Sequence, residues 1–472
     1  MHRSPESLLQ HLQHFIKNSI KIKQIHSLLI TTSYLKTTPN PWTTTLLYNT
    51  LIRGYLNIQN PQTTLLLFTQ MLSENIPPNS HTFPSLTKAV ASVASYVTTP
   101  SLIDKTLYTQ ALKRGVLADP FVRSSFINMY ARCGRLLYAR KVFNEMSDPC
   151  IVSCNAMLDG YCKNGDMNNA VFLFEWMSVK DVYTWTSLIS GYGKVGSYKN
   201  AIRFFKRMIV ESFLGDCIVK PNEASYVSVL SACAGCAGIE GLLGCKQVHG
   251  YIITNGDRIS AFMGAALISL YGKLGELEYA IKVFESMGKR EVCTWNAMIC
   301  SLASNGKEKQ ALDMFNKMKL KGWRPNEITF VAVLTACARA NLVNFGLEIF
   351  NSMLPQFGVA PIMEHYGCVV DLLGRAGLLA EAKDFVKRMP FKPDGSVLGA
   401  LLGACKLHGD VELGNEVAKN LVRLQPQQCG QYILLSSIYA EAEKWDHAKS
   451  LRNLMVDLCI QKHPAYSIVN AM

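Results

Sequence analysis

The chain has 472 residues, of which 49% are hydrophobic and 18% are charged, and its net charge is +13 with a pI near 9.0. This apolar content excludes an intrinsically disordered chain, and no run approaches the ~18 consecutive apolar residues of a transmembrane helix, so we expect no membrane partner. The positive charge favours a polyanionic partner, although it also fits a soluble basic protein without one.

The N-terminal segment is poor in acidic residues, because Glu6 is the only one before Glu74. A basic, acid-poor segment that contains Ser and Thr is typical of organelle transit peptides, and it predicts a short transit segment at residues 1–20. The stretch "IKQIHSLLI" from Ile22 matches "CKQVHGYII" from Cys245, so residues 21–44 are interpreted as a partial repeat. Since Ser and Thr do not dominate the segment, we predict a mitochondrial location, with the chloroplast as the alternative.

One pattern recurs from residue 45 onward. Each copy has an aromatic residue or Cys, then Asn or Thr, an apolar pair, a turn with Gly or Asn, and a second apolar block, as in "VCTWNAMICSLASNGKEKQALDMFNKM" from Val292. The pattern predicts ten units, at 45–79, 80–119, 120–150, 151–181, 182–222, 223–260, 261–291, 292–326, 327–362 and 363–394.

Apolar residues recur in each unit at three- and four-residue spacing, in two blocks of about a dozen residues, which indicates two amphipathic helices. Pro-Asn or Pro-Asp often closes a unit, as at Pro325 and Asn326, because Pro ends the second helix. One hairpin cannot bury its apolar face alone, whereas stacked neighbours bury theirs together. The predicted fold class is therefore all-α, an α-solenoid of stacked helix-turn-helix repeats that form a right-handed superhelix.

Fifteen cysteines raise the question of disulfides or a metal site. Cys233, Cys337 and Cys405 each hold the eleventh position of their unit, and a residue that recurs once per unit is interpreted as packing the same crevice. Cys233 and Cys236 form a CxxC pair with no second pair at zinc spacing. We predict no metal and no cofactor, and an odd number of cysteines without a disulfide framework favours a reducing compartment.

Repeats of helical hairpins at this length have two main interpretations. Tetratricopeptide arrays have a fixed period of about 34 residues and usually bind peptides. Here the period alternates among about 35, 36 and 31 residues. That alternation, with "YNTLI", "TWNAMI" and "CNAMLDGYCKNG", resembles the plant pentatricopeptide repeat family and its PLS subclass, over residues 20–460.

The resemblance implies that single-stranded RNA binds with one base per unit and its 5′ end toward the protein's N-terminus. It also implies that the fifth and last residues of a unit select the base. A last-residue Asp only accepts hydrogen bonds and suits U or G, whereas Asn also donates and suits C or A. At the fifth position Asn reaches toward a pyrimidine, and the shorter Thr or Ser leaves room for a purine.

Four units carry complete pairs. The predicted bases are C or another pyrimidine for Asn49 with Asn79, U for Asn155 with Asp181, A for Thr186 with Asn222, and C for Asn296 with Asn326. The predicted RNA sequence is 5′-Y-n-n-U-A-n-n-C-n-n-3′.

The remaining units depart from the pattern. Ser124 indicates a purine, but its unit ends in Cys150, and Asp394 ends a unit whose fifth residue is Gly367. No base is assigned to the units whose fifth residues are Val227, Ala265 and Val331, because these side chains have no polar group. Trp185 and Trp295 hold the fourth position and are interpreted as aromatic residues that pack the hairpins.

The sequence changes character after Asp394. Residues 395–428 and 429–472 resemble the two E-type motifs of the subclass, the second with a truncated tail. In relatives this extension precedes a DYW-type zinc deaminase, which needs His-x-Glu and Pro-Cys-x-x-Cys segments. Neither segment occurs, and neither does a P-loop, GxSxG or HExxH motif, so we predict no catalytic residues and no enzyme activity.

The function implied by the resemblance is that of a sequence-specific RNA-binding protein of an organelle, which recognises C-to-U editing sites and recruits a deaminase in trans. The implied partners are single-stranded organellar RNA, a separate DYW-type deaminase and multiple organellar editing factor proteins. Two alternatives remain: an organellar RNA splicing, stabilisation or translation factor, and a protein-binding helical scaffold.

Overall fold

The structure is a computed structural model that describes residues 4–35, 41–93, 103–214, 219–236, 239–256 and 258–460. These residues form α-helices and one short 3-10 turn, with no strand among them. The chain divides into two compact halves, Met1–Ala232 and Cys233–Met472.

The helices of the N-terminal half follow one another as pairs. They are α1 (Pro5–His14), α2 (Ser19–Thr31), α3 (Pro41–Asn57), α4 (Pro61–Ser73), α5 (Thr82–Val93), α6 (Ile103–Lys113), the 3-10 turn Val116–Ala118, α7 (Pro120–Arg132), α8 (Leu136–Asn144), α9 (Ile151–Lys163), α10 (Met167–Trp176), α11 (Val182–Lys194) and α12 (Tyr198–Leu214). The next helix is α13 (Glu223–Gly235).

The C-terminal half continues the same alternation. Its helices are α14 (Ile239–Thr254), α15 (Ala261–Lys273), α16 (Leu277–Ser286), α17 (Val292–Ser304), α18 (Glu308–Leu320), α19 (Glu327–Arg339), α20 (Val343–Phe357), α21 (Met363–Arg375), α22 (Leu379–Lys387), α23 (Gly395–His408), α24 (Val411–Leu424), α25 (Cys429–Glu441) and α26 (Trp445–Asp457). The all-α fold of stacked helical hairpins expected from the sequence is confirmed.

A left-handed residue at the fifteenth position ends the first helix of most units. Gly165 has φ 78° and Gly275 has φ 77°, values that glycine adopts without the steric penalty of a Cβ. The chain therefore reverses within a few residues, and the second helix of the unit packs back against the first.

The two tryptophans at the fourth position pack between units. Trp185 and Trp295 are each only 2% exposed. Trp185 packs edge to face against Phe174 of the preceding second helix, with ring centroids 4.7 Å apart. Trp295 packs in the same way against Phe284, with ring centroids 5.0 Å apart. Their interpretation as packing aromatics is confirmed.

The cysteines of the eleventh position lie where the two helices of a hairpin approach. Cys233, Cys337 and Cys405 are fully buried. A Cβ added at Gly346 would lie 3.2 Å from the Cβ of Cys337, and one at Gly414 would lie 3.5 Å from the Cβ of Cys405. The packing interpretation of these cysteines is confirmed, and no disulfide joins cysteines of the described residues.

Side-chain N–H groups at the fourteenth position bridge consecutive first helices. Asn164 donates to the carbonyl oxygen of Ala131 at 2.8 Å, and Asn305 donates to that of Gly272 at 2.8 Å. These carbonyls lie in the last turn of a helix, where the donor four residues on is missing, and each also accepts a backbone N–H of the following turn, from Gly134 and Gly275 respectively. The side-chain bonds therefore hold α9 in register with α7, and α17 in register with α15.

Helix α1 lies inside the segment predicted to be a transit peptide. Its Leu8 and Leu12 are buried, and α1 packs against α3. The predicted boundary between residues 20 and 21 falls in the first turn of α2. The boundary is drawn from composition, and composition alone does not show which side chains are buried. The transit segment stays a prediction.

The segments predicted as E-type motifs form two further hairpins. Helices α23 and α24 make the first, and α25 and α26 make the second, whose core contains Tyr432, Met455 and Ile460. Most of the predicted truncated tail, residues 461–472, lies outside the described residues. No helix in the described part of the chain is both long and apolar enough to cross a membrane.

Candidate nucleic-acid interface

The fifth and last residues of three units are in direct contact. In each case the fifth-residue amide nitrogen donates to a side-chain oxygen of the last residue, with distances of 3.0 Å for Asn49 to Asn79, 3.1 Å for Asn155 to Asp181 and 2.9 Å for Asn296 to Asn326. Side chains that lie 26 to 30 residues apart in sequence therefore form one polar pair per unit.

The last residue is held in place because it is the N-cap of the next first helix. Asp181 caps α11 and accepts from the backbone N–H of Thr184 at 2.8 Å. Asn326 caps α19 and accepts from the N–H of Thr329 at 3.1 Å. Asp and Asn are favoured N-caps because a short side-chain oxygen reaches a free backbone N–H of the first turn.

Capping occupies one oxygen of the last residue's side chain and leaves the other branch of the side chain outside the cap. The Oδ1 of Asn326 accepts the backbone N–H, so its NH₂ group lies on the opposite branch of the amide and makes no hydrogen bond within the described residues. Asp181 uses Oδ1 for the cap and has a second oxygen, Oδ2, 3.3 Å from Asn155 Nδ2. Asn326 therefore presents a donor, and Asp181 presents an acceptor.

The pair of Thr186 and Asn222 has a different geometry. The structure places no direct hydrogen bond between the two side chains; the Thr186 hydroxyl lies 2.6 Å from that of Ser225, and Asn222 accepts from the N–H of Ser225 at 3.0 Å. Ser225 therefore connects them.

The off-pattern units differ from the complete pairs. Ser124 lies 2.9 Å from the Ser153 hydroxyl, which is 3.4 Å from the Cys150 sulfur. Burial by itself would raise the pKa of the Cys150 thiol, but hydrogen bonds from Ser153 and nearby backbone N–H groups lower it below its usual value.

Asp394 caps α23 but has no fifth-residue side chain to meet, since that residue is Gly367. Burial alone would raise the pKa of Asp394, and hydrogen bonds from the N–H of Val397 and from Ser396 lower it below its usual value. This carboxylate therefore stabilises its helix, and the structure does not place it in a pair.

A third position contributes to the pairs, and sequence reasoning missed it. The third residue of the following unit carries a buried hydroxyl beside each polar fifth residue, and these residues are Thr82, Ser153, Thr184, Ser225 and Thr329. The recurrence of Ser or Thr at one register was the available signal.

Exposed apolar side chains recur at the second position, which sequence reasoning also missed. Between 44% and 70% of each side chain is exposed for Phe121, Val152, Tyr183, Phe262 and Ile328. Each lies about one helical turn before a fifth residue, on the same side of its helix. A flat apolar surface beside a polar pair suits a planar aromatic ligand.

Two open cavities coincide with predicted pairs in the N-terminal half. One, of about 260 Å³, is lined by Tyr183, Thr186 and Asn222, with Lys163 and Lys194 beside them. The other, of about 410 Å³, is lined by Asn49, Asn79 and Arg53, among other residues. Each cavity thus combines a polar pair, apolar surface and positive charge.

The basic residues of these cavities belong to a longer series. The thirteenth residue of six units is an exposed Lys or Arg in the last turn of the first helix: Arg132, Lys163, Lys194, Lys273, Arg339 and Arg375. By contrast, no group of His, Cys, Asp and Glu in the part of the chain that the structure describes could hold a metal ion.

Family models match most of the chain. A PPR repeat family model matches residues 43–92, 149–182 and 290–339, and a PPR repeat model matches 121–148, 183–213, 266–292, 328–354 and 364–392. A model of the E motif matches residues 408–470.

Individual proteins agree with these models. The chain is 46% identical over 466 residues to a putative pentatricopeptide repeat-containing protein of Arabidopsis thaliana, covering 99% of this chain and 97% of that protein. It is 40% identical over 405 residues to the Arabidopsis thaliana pentatricopeptide repeat-containing protein ELI1, chloroplastic, covering 86% and 61%. The crystal structure of the pentatricopeptide repeat protein PPR10 from maize shares the fold with a TM-score of 0.64 at 18% identity, covering 98% of this chain and 64% of that one. The chain belongs to the pentatricopeptide repeat family and carries an E motif after its repeats.

Proposed function

We propose that the protein binds single-stranded RNA, one base per repeat, and recognises C-to-U editing sites in an organelle by recruiting a deaminase in trans. The observation that carries the RNA-binding half is the anchored polar pair of Asn155 and Asp181, which recurs at Asn49 with Asn79 and at Asn296 with Asn326.

Three features, which occur together in the units 151–181 and 182–222, match three parts of a nucleotide. The exposed second residue, such as Tyr183, offers a surface on which a base stacks, a contact that contributes about 1–3 kcal/mol. The last residue offers a donor or an acceptor to the Watson–Crick edge. The Lys or Arg at the thirteenth position, such as Lys163, offers positive charge to a phosphate.

The base assignments follow from the atoms that remain available. Asp181 presents an acceptor for the ring N–H of U, and Asn326 presents a donor for the ring nitrogen of C. The proposed target therefore keeps the sequence 5′-Y-n-n-U-A-n-n-C-n-n-3′, with U at the fourth nucleotide and C at the eighth.

The editing half of the proposal is supported by the E motif at residues 408–470. The proposed partners are a separate DYW-type deaminase and multiple organellar editing factor proteins. The name of the chloroplastic relative supports an organellar location, and we retain the mitochondrion as the proposed compartment with the chloroplast as the alternative.

The first prediction tests the reading of one base. The substitution Asp181→Asn replaces an outward acceptor with a donor, so preference at the fourth nucleotide should change from U to C by about threefold to tenfold. Binding of the full chain to ten-nucleotide RNAs that differ only at that nucleotide measures this change. The substitution Asp394→Asn serves as the control and should leave preference at the fourth nucleotide unchanged.

Two other results would each replace part of the proposal. RNA binding that does not depend on the RNA sequence and is unchanged by the Asp181→Asn substitution would indicate a protein-binding scaffold. Sequencing of organelle transcripts from plants that lack the protein tests the editing half, where we expect C-to-U conversion to be lost at one or a few sites. Intact editing with an unspliced or missing transcript would indicate a splicing or stabilisation factor instead.

A further inference from the structure

A buried hydroxyl at the third position follows every polar fifth residue. All five polar fifth residues have a Ser or Thr beside them: Thr82 with Asn49, Ser153 with Ser124, Thr184 with Asn155, Ser225 with Thr186, and Thr329 with Asn296. Of the five units with an apolar residue, Gly or Pro at the fifth position, four are followed instead by Val122, Met263, His365 and Val397, and one is followed by Thr294, a buried hydroxyl whose preceding fifth residue is Ala265. Every first helix needs a cap, so capping alone does not explain why the other four have no hydroxyl at this position.

Hydrogen-bond directions around Asn155 are determined by the groups it meets. The Asp181 carboxylate has no proton to donate, so the Asn155 atom 3.1 Å away must be the amide nitrogen. The amide oxygen therefore faces Thr184, whose hydroxyl donates to it at 2.7 Å. The backbone N–H of Asp181 donates to the same hydroxyl oxygen at 3.1 Å, and Asp181 Oδ1 lies 2.8 Å from that hydroxyl as a second acceptor.

The same directions hold in the other two asparagine pairs. The Asn326 oxygen is identified by the backbone N–H that it accepts, so the facing atom of Asn296 is nitrogen, and the Thr329 hydroxyl donates to the Asn296 oxygen at 2.6 Å. Thr82 donates to the Asn49 oxygen at 2.7 Å. In every asparagine pair the amide oxygen is thus occupied, and one amide N–H remains for a ligand.

We propose that the third-position hydroxyl is a positioning residue for base selection: it holds the fifth-residue amide with its remaining N–H toward the base. This inference rests on the proposed RNA binding. A fixed N–H donor suits the carbonyl that both U and C carry beside the ring nitrogen, and adenine has no such carbonyl. Each of the three asparagine units then selects its base with three side chains, the fifth residue, the last residue and the hydroxyl that orients the fifth.

Removing the hydroxyl while keeping its shape tests the inference. The substitution Thr184→Val leaves Asn155 free to turn, so the preference for U over A at the fourth nucleotide should fall by about threefold to tenfold. The preference at the eighth nucleotide, which belongs to the pair of Asn296 and Asn326, should not change. Valine is compatible with this position because Val397 already holds it in α23.

The chain supplies a matched control at Thr294. Thr294 accepts from the backbone N–H of Glu291 at 3.0 Å, as Thr184 does from Asp181, but the fifth residue before it is Ala265, which has no amide. The substitution Thr294→Val should therefore leave every base preference unchanged. The substitution Thr184→Ser retains the hydroxyl and should restore the preference for U.

The outcomes distinguish this inference from the proposed function. An unchanged preference in the Thr184→Val protein, or the same loss in the Thr294→Val protein, overturns the positioning role while RNA recognition stands. If the protein without any substitution shows no base preference at either nucleotide, both the positioning role and the proposed base recognition are overturned. Loss at the fourth nucleotide alone, restored by Thr184→Ser, supports the positioning role.

Discussion

At the scale of single residues, the last residue of a unit does two things with different atoms. One oxygen of Asp181 caps α11, and the other lies 3.3 Å from Asn155 Nδ2. An exchange of Asp for Asn keeps the capping oxygen and changes only the outward atom, so it should alter base preference with little change in stability. Replacement by Ala would remove the cap as well, which costs about 1 kcal/mol.

Two histidines in matching segments lie against tyrosines of the next first helix. His26 Nδ1 is 2.9 Å from the Tyr55 hydroxyl, and His249 Nδ1 is 3.0 Å from that of Tyr271. Burial lowers the pKa of both imidazoles from the usual value of 6.5, because the charged form loses hydration. The neutral form is therefore the one that the fold stabilises.

The second prediction at this scale concerns acid sensitivity. Because the folded pKa of His249 is lowered, the unfolded chain binds more protons in the window just below pH 6.5. The stability of the fold with a neutral His249 is fully present above that window and is lost as the pH falls through it. We expect Tm to fall on acidification from pH 7.5 to 5.5, and to fall less in the His249→Gln protein.

A double variant provides the control for this pH dependence. Adding His26→Gln should flatten the pH dependence of Tm further, since both imidazoles have lowered pKa values. An acid-dependent decrease in Tm as steep in the double variant as in the normal protein would show that other groups cause it.

At the scale of elements, consecutive first helices approach through small side chains. The tenth residue of one unit faces the twelfth of the unit before it, and the contacting pairs are Ala131 with Gly160, Cys162 with Gly191, Gly272 with Ser301, and Gly374 with Ala404. One member of each of these four pairs is Gly, and a Cβ added to it would lie between 2.3 and 2.8 Å from the nearest atom of the facing side chain. In these four places the close approach of the helices therefore depends on the missing Cβ.

The substitution Gly374→Ala tests this packing. The added Cβ would lie 2.4 Å from the Cβ of Ala404, so α21 and α23 would have to move apart. We expect the free energy of unfolding to decrease by about 1–3 kcal/mol, as measured by urea denaturation. Overpacking would outweigh the gain in helix propensity, which is about 1 kcal/mol for Gly to Ala.

A glycine of α23 provides the control for this change. A Cβ at Gly403 meets nothing within 4 Å, so Gly403→Ala should stabilise the protein by up to about 1 kcal/mol. If both substitutions stabilised the protein equally, close approach would not be the reason for the glycine at position 374.

At the scale of the whole molecule, part of the net charge of +13 lies at one recurring position of the repeats. Exposed Lys and Arg side chains recur at the thirteenth position, in the last turn of the first helices, and Lys163 and Lys194 line the same cavity as Thr186 and Asn222. Contacts of this kind with phosphates make affinity depend on salt and carry no sequence information.

The prediction at this scale separates charge from base selection. For single strands, each phosphate contact contributes about −0.7 to the slope of log affinity against log salt concentration. The double substitution Lys163→Gln and Lys194→Gln should make the slope shallower by about 1.4 and leave base preference unchanged. The same change at Lys141 and Lys206, which are exposed on the second helices α8 and α12, should keep the normal slope.

Much of the fold and part of the site could be predicted from the sequence, because they depend on short-range patterns that repeat. Apolar spacing defined the hairpins, Gly165 and Gly275 marked their turns, and the register of Asn155 and Asp181 identified a pair whose contact the structure shows. Repetition made these signals visible, since one unit alone would have left an ordinary Asn near a helix start.

Other features were decided only by the tertiary structure. The hydroxyl of Thr184 meets Asn155 across 29 residues, and α1 buries Leu8 and Leu12 inside a segment whose composition resembles a transit peptide. Propensity and periodicity describe each helix separately, whereas these contacts exist only where two stacked units bring their surfaces together. The sequence by itself therefore determined the repeats and their register, and the stacking of the repeats decided which side chains form hydrogen bonds from one unit to the next.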